Sequence, residues 1–178
     1  MTLYTIDTAH SDAAFTVRHM VVAKVRGNFK ISKGVLKFNK DNPAASTVNV
    51  TLDSASVSTG DAKRDDHLRS ADFFDVANHP HIVFESTAIT PKGDGHQVDG
   101  MLTIRGVTKP ISFDADFTGF VTDPWGNPRA AAEVAGKVNR THFGLTWNQV
   151  LEAGSLLVGE DIKFNISVQL VEKAEVAA

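Results

Sequence analysis

Most of this chain alternates apolar and polar residues with a period of two. The clearest stretch comes last, where Ile162, Phe164, Ile166, Val168 and Leu170 alternate with Lys163, Asn165, Ser167 and Gln169. Successive side chains of a β-strand point to opposite faces, so the pattern predicts a sheet with one dry face and one wet face. A parallel sheet covered on both sides would show continuous apolar runs instead. Strand-like sequence begins at Leu3-Tyr4-Thr5-Ile6, and residues 13–19 place Ala13, Phe15, Val17 and His19 on one face. Residues 24–31 set Val25, Phe29 and Ile31 opposite Lys24, Arg26 and Lys30. Ser32-Lys33-Gly34 reads as a turn that resets the phase, leaving Leu36 and Phe38 inward. Inward positions then continue through Val48, Val50 and Leu52, Ile82 and Phe84, and Val98, Leu102 and Ile104. Ile111, Phe113, Ala115 and Phe117 follow. Arg105-Gly106-Val107-Thr108-Lys109-Pro110 reads as a hairpin connection and Pro91-Lys92-Gly93-Asp94-Gly95 as a second turn.

Many antiparallel strands with regular turns imply an all-β sandwich or closed barrel. Closure removes exposed edges, and a barrel of about eight strands can hold one small ligand. Periodicity alone does not separate barrel from sandwich, or a hollow interior from a filled one. The 178 residues fit one domain with a sizeable core, expected over 1–172, with 173–178 as a frayed tail. Phe, at 11 residues, far outnumbers Tyr at 1 and Trp at 2, so many rings lacking a polar handle belong in apolar space.

A net charge of −3 argues against nucleic acid as the main partner, because phosphate binding needs a basic face. No apolar run approaches the ~18 residues of a membrane-spanning helix. With no cysteine, disulfides, thiolate metal sites and thiol nucleophiles are excluded. The N-terminus has no basic start and no apolar leader core, so as written the chain is expected in the cytoplasm. It would be periplasmic or secreted if a leader has been removed.

One segment breaks the alternation: Arg64-Asp65-Asp66-His67-Leu68-Arg69-Ser70-Ala71-Asp72-Phe73-Phe74-Asp75, ending at His79-Pro80. A short helix is expected near residues 61–70, capped by Thr59 or Asp61 and with Asp65 and Arg69 paired at i,i+4. Only Leu68 offers an apolar anchor before Phe73, so the helix needs the barrel beneath it and reads as a lid or plug. The segment also tempts a metal or acid–base reading, since His67, Asp65, Asp66, His79 and His81 are all metal-capable. Their spacing matches no helix motif of the H-E-x-x-H kind, and the alternative is a solvated, salt-bridged turn. His10-Ser11-Asp12 could suggest a hydrolase, but adjacency is not triad geometry and no G-x-S-x-G elbow is present. A plain turn, with Ser11 or Asp12 bonding local backbone, suffices.

Ala132, Val134, Gly136 and Val138 share a phase that also turns Arg140 inward. The phase then switches, so that Phe143, Leu145 and Trp147 face in together around Gly144. A buried cation costs several kcal/mol unless paired or solvated. Arg140 and His19 are therefore expected at a barrel mouth or against an acid such as Asp72 or Asp75. There they greet the polar head of a ligand, or form an internal salt bridge that ties down 64–75. Lys24, Arg26, Lys30 and Lys37 form a basic outer stripe that is solvated, guards an edge, or touches anionic lipid. Trp125, in the turn Asp123-Pro124-Trp125-Gly126-Asn127-Pro128, reads as a mouth rim, a homodimer contact or a cap on the barrel end.

In their order these motifs resemble the YceI-like family of lipocalin-like barrels named for polyisoprenoid binding. The resemblance runs from about Tyr4 to Leu170. It rests on Ile6-Asp7-Thr8-Ala9-His10-Ser11, Val25-Arg26-Gly27-Asn28-Phe29, Ser56-Val57-Ser58-Thr59-Gly60, and the 64–75 segment with Pro80. Leu102-Thr103-Ile104-Arg105-Gly106-Val107-Thr108-Lys109-Pro110 and Asn139-Arg140-Thr141-His142-Phe143-Gly144-Leu145 complete it. It implies an extended antiparallel barrel with a long apolar channel, a bound isoprenoid or other amphipathic chain, and no established enzymatic activity. Many such relatives carry a secretion signal.

The expected function is therefore to bind and store or carry a long-chain lipid, an isoprenoid or fatty chain, without catalysis or cofactor. Strand phase gives the ligand-contacting positions: Phe15, Val17, His19, Phe29, Phe38, Phe84, Leu102, Phe113, Phe117, Arg140, Phe143, Trp147 and Phe164. Two rivals remain at this point: a metal-dependent hydrolase or acid–base enzyme built around His67 and His79, and a structural or partner-binding barrel filled by its own side chains.

Overall fold

The computed structural model describes residues 1–173. In chain order the elements are β1 (Thr2–Ile6), β2 (Asp12–His19), β3 (Ala23–Phe29), β4 (Ile31–Phe38), β5 (Thr47–Asp53), α1 (Ala62–Arg69), β6 (His81–Lys92), β7 (Gly95–Ile104), β8 (Val107–Thr122), β9 (Pro128–Asn139) and β10 (Val158–Lys173). Residues 174–178, in the tail expected to fray, lie outside the described residues.

All strand pairings are antiparallel. They run β1-β4-β5-β6-β7-β8-β9-β10, and β10 returns to β1, which closes an eight-strand barrel. The remaining two strands extend two of the eight. β1 pairs with the end of β10, from Leu170 to Lys173, and β2 takes over the same edge from Ser167 back to Val158. β1 and β2 therefore behave as one long strand with a corner between them. β3 and β4 likewise make one strand broken at Lys30, whose N–H bonds Ser56 Oγ at 2.8 Å.

The corner after β1 is fastened by side chains. Ser11 Oγ donates to the Asp7 carbonyl at 2.7 Å and accepts from the Gln169 N–H at 3.0 Å. His10-Ser11-Asp12 is thus a turn, and its hydroxyl is committed to backbone. Asp7 also accepts from Arg129 at 3.0 Å, and the same guanidinium donates to Asp123 at 2.8 Å. This joins the corner to the β8–β9 turn. The arginine bond, helped by backbone N–H groups, holds the Asp123 carboxyl well below the usual carboxylate range. His10 and Arg129 lower Asp7 in the same direction. On that turn Trp125 is 81% exposed and caps nothing.

Two irregularities displace the simple alternation. Ser32-Lys33-Gly34 is not a turn. It lies within β4 as a bulge, where the register against β5 shifts between Ile31 and Lys33. In β8, the four residues from Phe117 to Phe120 oppose three on β9, Ala132 to Ala130. The extra residue falls at Gly119, in the left-handed region at φ +49°, where a β-carbon is disfavoured. The bulge brings Phe120 back to the side of Phe117. Phe38, Phe117 and Phe120 then cluster with centroids 5.3 to 6.1 Å apart, Phe38 stacking on Phe117 and Phe120 on Tyr4. These rings form the base of the barrel. Burial pushes the Tyr4 hydroxyl up to about 12, aided by its bond to Glu172.

The opposite end is plugged by α1 and the turns that follow it. Asp61 is the N-cap, accepting from the Arg64 N–H at 3.0 Å, so of the two expected caps Asp61 serves. Asp65 does not pair with Arg69. It is buried and turns back to Thr59, accepting from its N–H at 2.8 Å and its hydroxyl at 2.6 Å. Arg69 reaches the carbonyls of Ala55 and Val57 at 2.8 and 2.9 Å, with Asp66 at 3.1 Å as its acid. Leu68 and Phe74 pack toward the wall at Phe29, Val57 and Ile82, and Phe73 is buried with Phe143 and Leu145.

Two outcomes follow. Leu68→Asp or Phe73→Asp should destabilise by about 3 kcal/mol or more, because a carboxylate replaces an apolar anchor. His67→Ala should cost no more than about 1 kcal/mol, since its partner Asp72 is half-exposed. Thermal melts compare them. The second outcome concerns acid. Carboxyls with depressed folded pKa contribute stability in full above their ordinary value near 3.8. That contribution is lost as pH falls through the depressed values. Melts from pH 6 downward should show wild type losing stability below about pH 4. Arg129→Met should start lower and show a flatter acid limb.

Candidate functional site

Apolar packing concentrates at the two ends of the barrel, and between them the interior is hollow. The cavity holds about 900 Å³, near the upper end of the range typical of ligand pockets. Its wall is the inward phase of the strands. Every position expected from strand phase lines it: Phe15, Val17, His19, Phe29, Phe38, Phe84, Leu102, Phe113, Phe117, Arg140, Phe143, Trp147 and Phe164. A barrel filled with its own side chains is not what the sequence builds.

The reason lies opposite the rings. Phe15 pairs directly with Gly27, and Phe164 with Gly136. A β-carbon on Gly27 would sit 2.5 Å from the Phe15 ring, and one on Gly136 would collide with the Phe164 ring and come within 2.9 Å of Phe113. The ring tips therefore sit over bare backbone on the neighbouring strand. Bulky aromatics paper the wall and leave the lumen open.

Polar lining gathers at the α1 end. Thr59, Asp61, Lys63, Arg64, His67 and His19 all border the cavity there, and exposed Asp61 and Lys63 show where it reaches solvent. Strand phase could not find the α1 residues, because they belong to the one segment without a period of two. At the other end Pro43, Ser46 and His96 border the cavity beside the stacked rings.

Arg140 is 5% exposed, and its donors are already engaged. Nε bonds the Gly159 carbonyl at 2.8 Å, and the terminal nitrogens bond the carbonyls of Leu145 at 2.6 Å, Trp147 at 2.9 Å and Val158 at 3.3 Å. Neither Asp72 nor Asp75 is its partner, and it forms no ion pair among the described residues. Burial lowers its pKa from the ordinary arginine value, against the field of Glu160. Carbonyl dipoles stand in for the missing carboxylate. The guanidinium also lies 6.0 Å from the Phe73 ring centroid, so it holds the plug through a cation–π contact rather than a salt bridge.

His67 Nε2 lies 2.9 Å from Asp72 Oδ2, and its ring meets Trp147 and Phe73 edge-on, with centroids 4.6 and 5.1 Å away. His79 faces Asp75 instead, 3.9 Å away, and touches Gly106. Among the described residues no three His, Asp or Glu side chains converge as metal ligands, so the donor set imagined around His67 and His79 is not assembled. Nor is any described helix long and apolar enough to cross a membrane.

Known proteins share this architecture. The family model described as YceI-like domain matches residues 4–170. Protein YceI of Salmonella newport is 41% identical over 137 residues, 77% of this chain and 72% of the relative. The crystal structure of the Campylobacter jejuni YCEI protein superposes with a TM-score of 0.74 at 31% identity, covering 94% of this chain and 96% of that one. A polyisoprenoid binding domain from Saccharophagus degradans matches in fold, with a TM-score of 0.67 at 14% identity, over 96% of this chain and 98% of its own. Sequence and barrel agree, and this chain belongs to the YceI-like domain family.

Proposed function

We propose that this chain binds a long-chain amphipathic lipid, a polyisoprenoid or a molecule of similar build, with its tail inside the barrel, and stores or carries it without chemical change. The observation that carries this is the 900 Å³ cavity walled by phenylalanines and aliphatic side chains. Each methylene moved from water to such a wall contributes about 0.8 kcal/mol. A tail of ten or so methylene equivalents gathers about 8 kcal/mol before the cost of ordering it. The tail thus supplies affinity. A polar head would rest among Thr59, Lys63, Arg64, His67 and His19, where it fixes orientation more than strength. A domain of the same fold bears the name polyisoprenoid binding, which agrees with an occupant of this shape.

Mass spectrometry of an organic extract of the purified protein should reveal a long-chain species, and the emptied protein should take up an apolar fluorescent dye. A clean extract together with no dye uptake would overturn the reading. Lumen width gives a sharper check. Gly136→Leu should drive the Phe164 ring off the wall and lower dye affinity at least about tenfold, with a stability loss of about 1–3 kcal/mol. Outward-facing Lys163→Ala should leave uptake unchanged. Titrations of the three proteins with the dye decide the point.

A further inference from the structure

The β2–β3 connection, Met20-Val21-Val22, is an unusual turn. Met20 and Val21 both adopt left-handed backbone, at φ +53° and +67°. Such positions normally carry glycine or asparagine, and a β-branched residue there is a conformational outlier. The conformation is held by the Met20 N–H bonding the Leu157 carbonyl at 2.8 Å and by Arg18 reaching the Val21 carbonyl at 3.4 Å. Strain of this kind persists where surrounding structure enforces it, and it clusters at functional sites. Its result here is an aliphatic tip in water: Val22 is 86% exposed, and Met20 and Val21 are each about half exposed. Val150 and Leu156, bridged to one another beside Leu157, extend the same exposed apolar surface.

Charge and position point to the occupant. From Ala13 to Phe29 the β2–β3 hairpin carries Arg18, Lys24 and Arg26 and no acid. None of the three is in an ion pair among the described residues. Arg18 and Lys24 stand directly opposite in the β2–β3 register, an arrangement of like charges that favours a shared external anion. Exposed Asp61, Asp66, Asp72, Glu152 and Glu160 lie at this end too, but on the α1 segment, the 150–156 loop and β10 rather than on the hairpin. The other exposed apolar group, Phe120, Val121 and Trp125, sits at the base, where β8 carries Asp114 and Asp116. The tip also adjoins the cavity: His19, Val25 and Leu157 line it.

We propose that the Met20–Val22 tip, with Arg18, Lys24 and Arg26 beside it, docks the α1 end of the barrel onto an anionic lipid bilayer. Aliphatic side chains enter the headgroup boundary while the cations meet lipid phosphates. The cavity opening then faces the membrane, so a lipid tail passes between bilayer and channel without crossing water. This purpose rests on the lipid-binding function proposed above, although the docking itself is separately measurable.

The test is co-sedimentation with vesicles. The wild-type protein should bind phosphatidylglycerol–phosphatidylcholine vesicles at low ionic strength, and much less to pure phosphatidylcholine or at high salt. Val22→Asp should lower partitioning about tenfold. Arg18→Glu with Lys24→Glu should lower it about fivefold per cation and remove most of the salt dependence. Melting temperature and dye uptake of each variant, unchanged from wild type, show that fold and channel are intact. Indifference of the wild type to anionic vesicles, or wild-type binding by Val22→Asp, would overturn the proposal. So would a dimer in light scattering that Val22→Asp dissociates, since the tip would then serve a second copy. A protein that fills with dye yet ignores vesicles defeats docking alone. One that binds vesicles but never takes up dye supports docking and defeats the channel.

Discussion

The closed hydrogen-bond ladder is what permits an empty interior. A conventional domain is held by its packed centre, and a void there forfeits dispersion contacts along its whole lining. In this barrel the wall is continuous through the β1–β10 pairing, so each interior strand meets a partner on both sides and backbone groups are satisfied without a filled lumen. Buried apolar packing is densest around Tyr4 and Ile6 at the base and at the plug at the mouth. The middle is left with apolar surface that a guest can cover. An occupant that binds only the folded barrel also stabilises it by mass action, so loading and folding stability are linked.

Much of this was legible in the sequence because the strand period is so regular. Ile162 to Leu170 and Ile111 to Phe117 announce their inward faces directly, and the positions read from that phase all line the cavity. Even the phase switch around Gly144 was readable, because Phe143 and Leu145 are buried there together. Phe120 was not, since a bulge at Gly119 shifts the phase by one residue and no local pattern announces an inserted residue. Gly34 misled for a related reason: a glycine after Ser-Lys looks like a turn, yet here it is buried within a strand against Ile6.

The partners of the buried charges were also beyond reach. Asp65 and Arg69 have the spacing of a helical ion pair, but Thr59 offers Asp65 two donors, and the carbonyls of Ala55 and Val57 claim Arg69. Arg140 was expected at a mouth or against an acid and is satisfied by carbonyls from residues 5 to 19 positions away. Periodicity tells which way a side chain points. It does not tell which backbone oxygens the tertiary fold will deliver there.

That choice of partner has a consequence for how the protein responds to its medium. Arg69 pins the plug mainly through the carbonyls of Ala55 and Val57, and Arg140 through the Phe73 ring, at contact distances where mobile ions scarcely intervene. The cations of the β2–β3 hairpin act outward through water, where the Debye length is only about 10 Å at 0.1 M salt. Ionic strength therefore acts on one end of the molecule selectively: it screens what the hairpin attracts and leaves the stopper seated.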